Sequence, residues 1–213
     1  MSTSVGDKQH EFDPPVAPAA PAASSADGIA DPGPLGLAAF AATTFVLSVF
    51  NAGLMPSNLE AVVLPLALFY GGLAQLLAGM WEFRKANTFG ALAFSSYAAF
   101  WLSFAAYVKF IAPGLPASSA SAATGLFLLA WTIFTAYMTV AALRVNGAVA
   151  AVFVALVLTF LLLTIAELAG AAALGKVGGW LGIITALLAW YASAAGVINT
   201  TWQRAVLPVW ARR

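Results

Sequence analysis

The sequence predicts an all-α integral membrane protein, a bundle of six transmembrane helices, and three observations lead there. Apolar residues fill 62% of the 213 positions and charged residues only 8%, against roughly 45–50% and about 25% in soluble domains. The charges gather in the tails and in short breaks between apolar runs, so each run is free to sit in hydrocarbon. Six of those runs approach or exceed the length a helix needs to cross a bilayer core.

Taken in order, the chain opens with a tail over 1–30, rich in Pro, Ala, Ser and Asp. Such a segment buries too little apolar surface to order itself and is predicted disordered; a regulatory or partner-binding arm is the functional alternative. A secretory signal needs a basic start followed directly by an apolar stretch, whereas the first apolar run begins near Leu35. The predicted spans are 35–51, 60–81, 88–111, 124–143, 147–170 and 179–200. Breaks at 53–56, 84–87, 113–116, 144–146 and 175–178 carry turn chemistry. One transmembrane domain, 31–208, therefore precedes a short basic tail, 209–213.

Basic residues orient the bundle. Lys8, Arg84, Lys85, Arg144, Arg204, Arg212 and Arg213 fall on one side and only Lys109 and Lys176 on the other. Because cytoplasmic loops carry the excess of Lys and Arg, both termini are expected in the cytoplasm.

Several functions are excluded by composition. A net charge of +1 leaves no clustered basic surface for nucleic acid. With no cysteine, disulfides, thiolate chemistry and Cys-type metal sites are out. The one histidine, His10, lies in the tail, and Ser95, Ser96 and Ser103 have no base partner in sequence. No catalytic, cofactor or metal site is expected, and the chain is not read as an enzyme.

The remaining candidates lie inside the spans. Gly71, Gln75 and Gly79 recur every fourth residue, which suits a close helix seam or a pore-lining Gln75; Ala192 and Gly196 form a weaker seam. Phe94, Tyr97, Trp101 and Phe104 make one aromatic stripe, an interior face by its period, with packing and gating both open. The three odd-numbered helices each start beside Gly or Pro, at Pro34, Gly90 and Gly147. Their unpaired N–H groups and partial positive charge suit an anion, and equally suit ordinary capping. Glu167 is the most deeply placed acid and a candidate for proton binding, or else a structural group near Lys109 or Lys176. Glu60 and Glu82, at helix ends, read as interface residues, and Asn199 as a cap or lining of the inner mouth.

At Asp31-Pro32-Gly33-Pro34-Leu35-Gly36-Leu37 the chain resembles the Asn-Pro-x-Pro-Leu-Gly-Leu signature of the acetate uptake transporter family, which includes the succinate-acetate permeases. The likeness continues through Phe69-Tyr70-Gly71-Gly72-Leu73-Ala74-Gln75, Glu82, Asn87-Thr88-Phe89-Gly90, Phe94-Ser95-Ser96-Tyr97, Phe100-Trp101, Trp131, Phe134-Thr135 and Arg204-Ala205-Val206-Leu207-Pro208. It covers the chain from about Asp31 to Pro208. The resemblance implies a hexamer in the plasma membrane, each protomer with its own path for acetate and related small carboxylates, by proton-coupled or channel-like passage. It also implies a hydrophobic pore constriction at Phe40, Tyr97 and Leu156. Substrate-path candidates are Thr43, Gln75, Asn87, Thr88, Ser96 and Asn199, with Glu167 as the proton-coupling candidate. Asp31 stands where the family pattern has Asn and adds a negative charge at the inner mouth. Protons and membrane lipid complete the expected partners. A small neutral-solute channel of the urea or amide type and a membrane receptor or scaffold are the competing readings.

Overall fold

The computed structural model describes residues 28–211. Most of the tail expected over 1–30, with Lys8 and His10, lies outside those residues, as do Arg212 and Arg213. Among the described residues, six helices are long and apolar enough to cross a membrane: α1 Gly33–Asn51, α2 Ser57–Arg84, α3 Thr88–Gly114, α4 Ala117–Ala142, α5 Gly147–Ala169 and α6 Ala172–Thr201. Each helix packs on its neighbours in sequence and α6 returns against α1, so the six stand in a ring. The outside of the ring is apolar, with Phe69 66%, Leu126 67% and Val140 69% exposed. Side chains of that kind have no reason to face water, and lipid or a neighbouring apolar surface is their natural solvent.

Local chemistry explains the helix ends. Pro34 occupies the first turn of α1, where its missing N–H costs nothing. Asn87 and Asn146 cap α3 and α5 through side-chain oxygens that accept from Gly90 N–H at 3.2 Å and Val149 N–H at 2.9 Å. Gly170 ends α5 with φ at +64°, a conformation open to glycine at no steric cost. Inside α2, the turns after Pro65 widen to π-helical geometry over Leu66–Ala74. Pro65 has no N–H for the regular ladder, and a π segment is one way a helix absorbs such a break.

Two expected boundaries are corrected. The fourth helix begins at Ala117, seven residues before 124, because its Ser/Ala-rich stretch starts directly after Pro116 and continues the helix. The break expected at 175–178 does not exist: α6 is continuous from Ala172. Its glycines serve packing there, since a Cβ on Gly179 would collide with the backbone of Asn51 and Ala52 in α1. Side-chain absence thus brings two backbones together where a turn was expected.

Most polar groups buried between the helices are hydroxyls. Thr132 meets Thr164 at 2.9 Å, Tyr107 meets Thr124 at 2.8 Å and Thr159 meets Thr185 at 3.3 Å. Thr43, Thr132, Thr159 and Thr185 also donate to the carbonyl one turn back. In hydrocarbon such groups need internal partners, and these residues supply them within the bundle.

Candidate functional site

The odd-numbered helices each turn one regular face toward the middle of the ring. Along α1 it runs Leu37, Phe40, Thr44, Leu47, Ser48 and Asn51; along α5, Val149, Phe153, Leu156, Phe160, Leu163 and Glu167. These steps of three or four residues keep a helix on one side of a lumen. Two cavities result. One, of about 500 Å³, opens away from the chain termini; the other, of about 310 Å³, lies at the end that carries them.

Between the cavities stands an aromatic layer. Phe40 and Leu156 line the larger cavity and Phe153 the smaller. Tyr97 sits among them, only 2% exposed, with its ring 5.6 Å from that of Phe40 and 6.0 Å from that of Phe153. Its hydroxyl pairs with Thr135 at 2.9 Å, which fixes the ring against α4. Phe134 closes edge-on to Tyr97 at 5.3 Å. The layer carries no formal charge and stands between the two cavities.

Of the residues expected as the constriction, Phe40 and Leu156 line the larger cavity, whereas Tyr97 lines neither cavity and is buried beside Phe40. Phe153, which the sequence reading did not single out, lies one turn before Leu156 and lines the smaller cavity. Above the layer, Phe100 contacts Trp101, Phe104, Phe127, Trp131 and Phe160 at 4.9 to 6.0 Å and fills the gap between α3, α4 and α5. Tyr97, Trp101 and Phe104 share this region, but Phe94 does not: it lies over Gly36 of α1 at the other end.

The expected path residues separate into groups. Asn87 and Asn199 line the smaller cavity. Thr43 does not line either cavity; it is fully buried in contact distance of the site a Cβ on Gly71 would occupy. Gln75 is also fully buried in the α2 seam, where Gly71 lies on Trp101 and Gly79 on Ser95, and neither amide atom has a hydrogen-bond partner. Thr88 is exposed and Ser96 half-buried, and neither lines a cavity. Instead Thr44, Ser48, Asn51, Tyr107, Thr124 and Thr159 supply the uncharged polar groups of the larger cavity. Glu167 lines that cavity with Glu60 and Lys176, without an ion pair to Lys109 or Lys176.

Glu82 corrects the reading of an interface residue. It is 2% exposed and lines the smaller cavity, accepting from the Asn87 amide at 2.8 Å. Lys85 pairs with Asp31 at 3.4 Å on the same rim. The three helix starts do converge on this cavity. Those of α5 are not free for an anion, however: Gly147 N–H and Ala148 N–H donate to the carbonyls of Trp210 and Val209. Among the described residues, no group of three or more acidic or histidine side chains could hold a metal ion.

Comparison with known proteins agrees with this architecture. Residues 12–211 match the GPR1/FUN34/yaaH family. Accumulation of dyads protein 2 of Saccharomyces cerevisiae is 46% identical over 173 residues, which are 79% of this chain and 61% of that protein. The chain therefore spans about three fifths of that yeast relative's length. The succinate-acetate/proton symporter SatP of Escherichia coli K12 is 38% identical over 181 residues, 85% of this chain and 95% of that one. A solved structure of the bacterial acetate channel SatP superposes with a TM-score of 0.80 at 38% identity, covering 85% of this chain and 99% of that chain. With almost its whole length matched and its six-helix ring shared with a solved relative, the chain is a multi-pass integral membrane protein that belongs to the GPR1/FUN34/yaaH family.

Proposed function

We propose that the chain carries acetate and related small carboxylates across a membrane, by proton-coupled or channel-like passage through the lumen of each protomer. The observation that carries this reading is the pair of in-line cavities separated by the layer of Phe40, Tyr97, Phe153 and Leu156. The layer itself carries no cation, so a small carboxylate would be held weakly there, as throughput requires. Relatives supply further support: besides SatP, acetate permease A of Emericella nidulans is 42% identical over 195 residues, 84% of this chain and 65% of that one.

On this reading Phe40, Tyr97 and Leu156 set the size limit, Asn87 and Asn199 border the inner mouth, and Glu167 is the candidate proton site. Acetic acid has a pKa near that of Asp and Glu side chains and is mostly ionised at neutral pH, so a proton must accompany it or the lumen must stabilise the anion. The excess of Lys and Arg at one end supports cytoplasmic termini and the apolar outer belt supports a place in a bilayer, while assembly as a hexamer in the plasma membrane is what the family resemblance implies.

Labelled acetate uptake into proteoliposomes, with and without a pH gradient, is the test; absence of uptake under both conditions removes the proposal. A second reading, passage of a small neutral solute, is favoured by one relative, ammonia transport outward protein 2 of S. cerevisiae, 44% identical over 173 residues. Vesicle swelling in ammonium, urea and acetate solutions separates the two.

A further inference from the structure

The chain does not trail away after α6. It turns at Gln203, where φ is +53°, and runs back across the terminus-bearing end of the ring. Asn199 grips the returning segment three times: its Oδ1 accepts from Val206 N–H at 2.7 Å and Leu207 N–H at 2.9 Å, and its Nδ2 donates to the Leu207 carbonyl at 2.8 Å. About two turns back along α6, the Tyr191 hydroxyl donates to the Pro208 carbonyl at 2.7 Å, and the Tyr191 ring stacks on Trp210 with centroids 6.1 Å apart.

Beyond that grip the segment reaches α5. The Trp210 carbonyl accepts from Gly147 N–H at 3.0 Å and the Val209 carbonyl from Ala148 N–H at 3.2 Å. A helix start needs outside partners for its first N–H groups, and here two come from the far end of the chain. Val209 also lines the smaller cavity, so the same contact puts an apolar side chain at its mouth.

Two features mark the segment as able to leave. Gln203 and Trp210, at φ of +53° and +51°, hold a left-handed backbone that side chains other than glycine's rarely adopt. Residues 202–206 are exposed, so little apolar burial ties them down. Segments with few buried contacts and exposed hydrogen bonds open at far lower cost than the whole fold.

We propose that residues 202–211 form a strap that covers the terminus-bearing mouth of the lumen, and that Asn199 is the positioning residue that sets how often it opens. Opening withdraws Val209 from the cavity and uncovers Gly147 and Ala148 N–H at the positive end of α5. The mouth becomes wider and gains two donors suited to a carboxylate. The consequence for flux rests on the transport reading above; the opening itself does not.

The chain has no cysteine, so Ala148→Cys introduces a single thiol beneath the strap, at a position 4% exposed. Full-length protein in detergent is treated with a maleimide, and Ala39→Cys, at a site 0% exposed in α1, reports global unfolding. Asn199→Ala is expected to raise the labelling of Cys at 148 by roughly tenfold or more, because all three side-chain bonds to the strap are lost together. Tyr191→Phe, which keeps the ring stack, should raise it by about threefold on loss of one bond. Asn199→Asp keeps the two accepting contacts but loses the donor to the Leu207 carbonyl, so its labelling should fall between that of the parent and that of Asn199→Ala. Labelling at 39 should stay unchanged throughout, and acetate uptake into proteoliposomes should rise in the order of labelling at 148. Unchanged labelling in both Asn199→Ala and Tyr191→Phe overturns the strap, as does labelling that rises equally at 39 and 148. Raised labelling at 148 with uptake unchanged or reduced overturns its role as a cover. If the parent protein carries no acetate, the transport reading fails, and labelling alone still decides whether the strap opens.

Discussion

The two ends of the lumen are built from different materials. The larger cavity is walled mainly by side chains along the spans, the rings of Phe100, Trp101, Phe104 and Phe127 among them. The smaller one is made of helix ends: the caps Asn87 and Asn146, the Asp31–Lys85 pair, buried Glu82 and the strap held by Asn199. Rigid stacking of rings defines the first, whereas hydrogen bonds between chain ends define the second. Substitutions should therefore act on size and packing at one end, and on polar pairing at the other.

The strongest break of this contrast is expected at Gly179, which lets α6 lie on α1 at the far end of the ring. Gly179→Val forces a side chain into the backbone of Asn51 and Ala52 and should cost about 3 kcal/mol of stability. Thermal unfolding in detergent measures it; a melting point equal to the parent's would show that the two helices separate freely. Next comes the layer between the cavities. Phe40→Ala removes a ring that is 5% exposed and 5.6 Å from Tyr97, and should improve uptake of propionate or butyrate relative to acetate by roughly tenfold or more. Unchanged size selectivity would return Phe40 to a packing role.

At the polar end, Glu82→Leu leaves the Asn87 amide without its buried acceptor and should cost about 1–3 kcal/mol, while Glu82→Gln, which keeps an acceptor oxygen, should cost less. Equal losses in the two variants would mean that shape, and not the hydrogen bond, matters at that position. The smallest effect is expected at Lys176, an exposed charge on the rim of the larger cavity. Lys176→Gln should lower the initial rate of acetate uptake by about twofold at low ionic strength and by less as salt screens the charge. A deficit that does not shrink with salt would point away from steering.

Much of the fold was legible because a bilayer imposes a coarse rule: an apolar run of sufficient length must be a helix. The rule found all six spans and their order. It failed at 117–123, where Ser and Ala can serve a loop or a helix, and at 175–178, where glycine can mean a turn or a close approach. Period alone marked Tyr97 and Trp101 as part of an interior stripe, whereas Phe40 and Leu156 were singled out by the family resemblance and not by anything in their own helices. Thr43, Gln75 and Ser96 were equally plausible by residue type, yet none of them lines a cavity, because a polar side chain announces that it needs a partner and not which neighbour will provide one.

Composition and periodicity by themselves determined that this chain lives in a membrane as a bundle of six helices with an aromatic stripe on an interior face. Only the tertiary structure decided that Glu82 is buried, that Phe153 joins the central layer, and that the end of the chain returns to cap the start of α5. The reason is physical. Hydrophobic period is a property of one helix and survives in one dimension, while burial of a charge or capture of a helix end depends on residues 50 or more positions apart, such as Gly147 and Trp210, meeting in space.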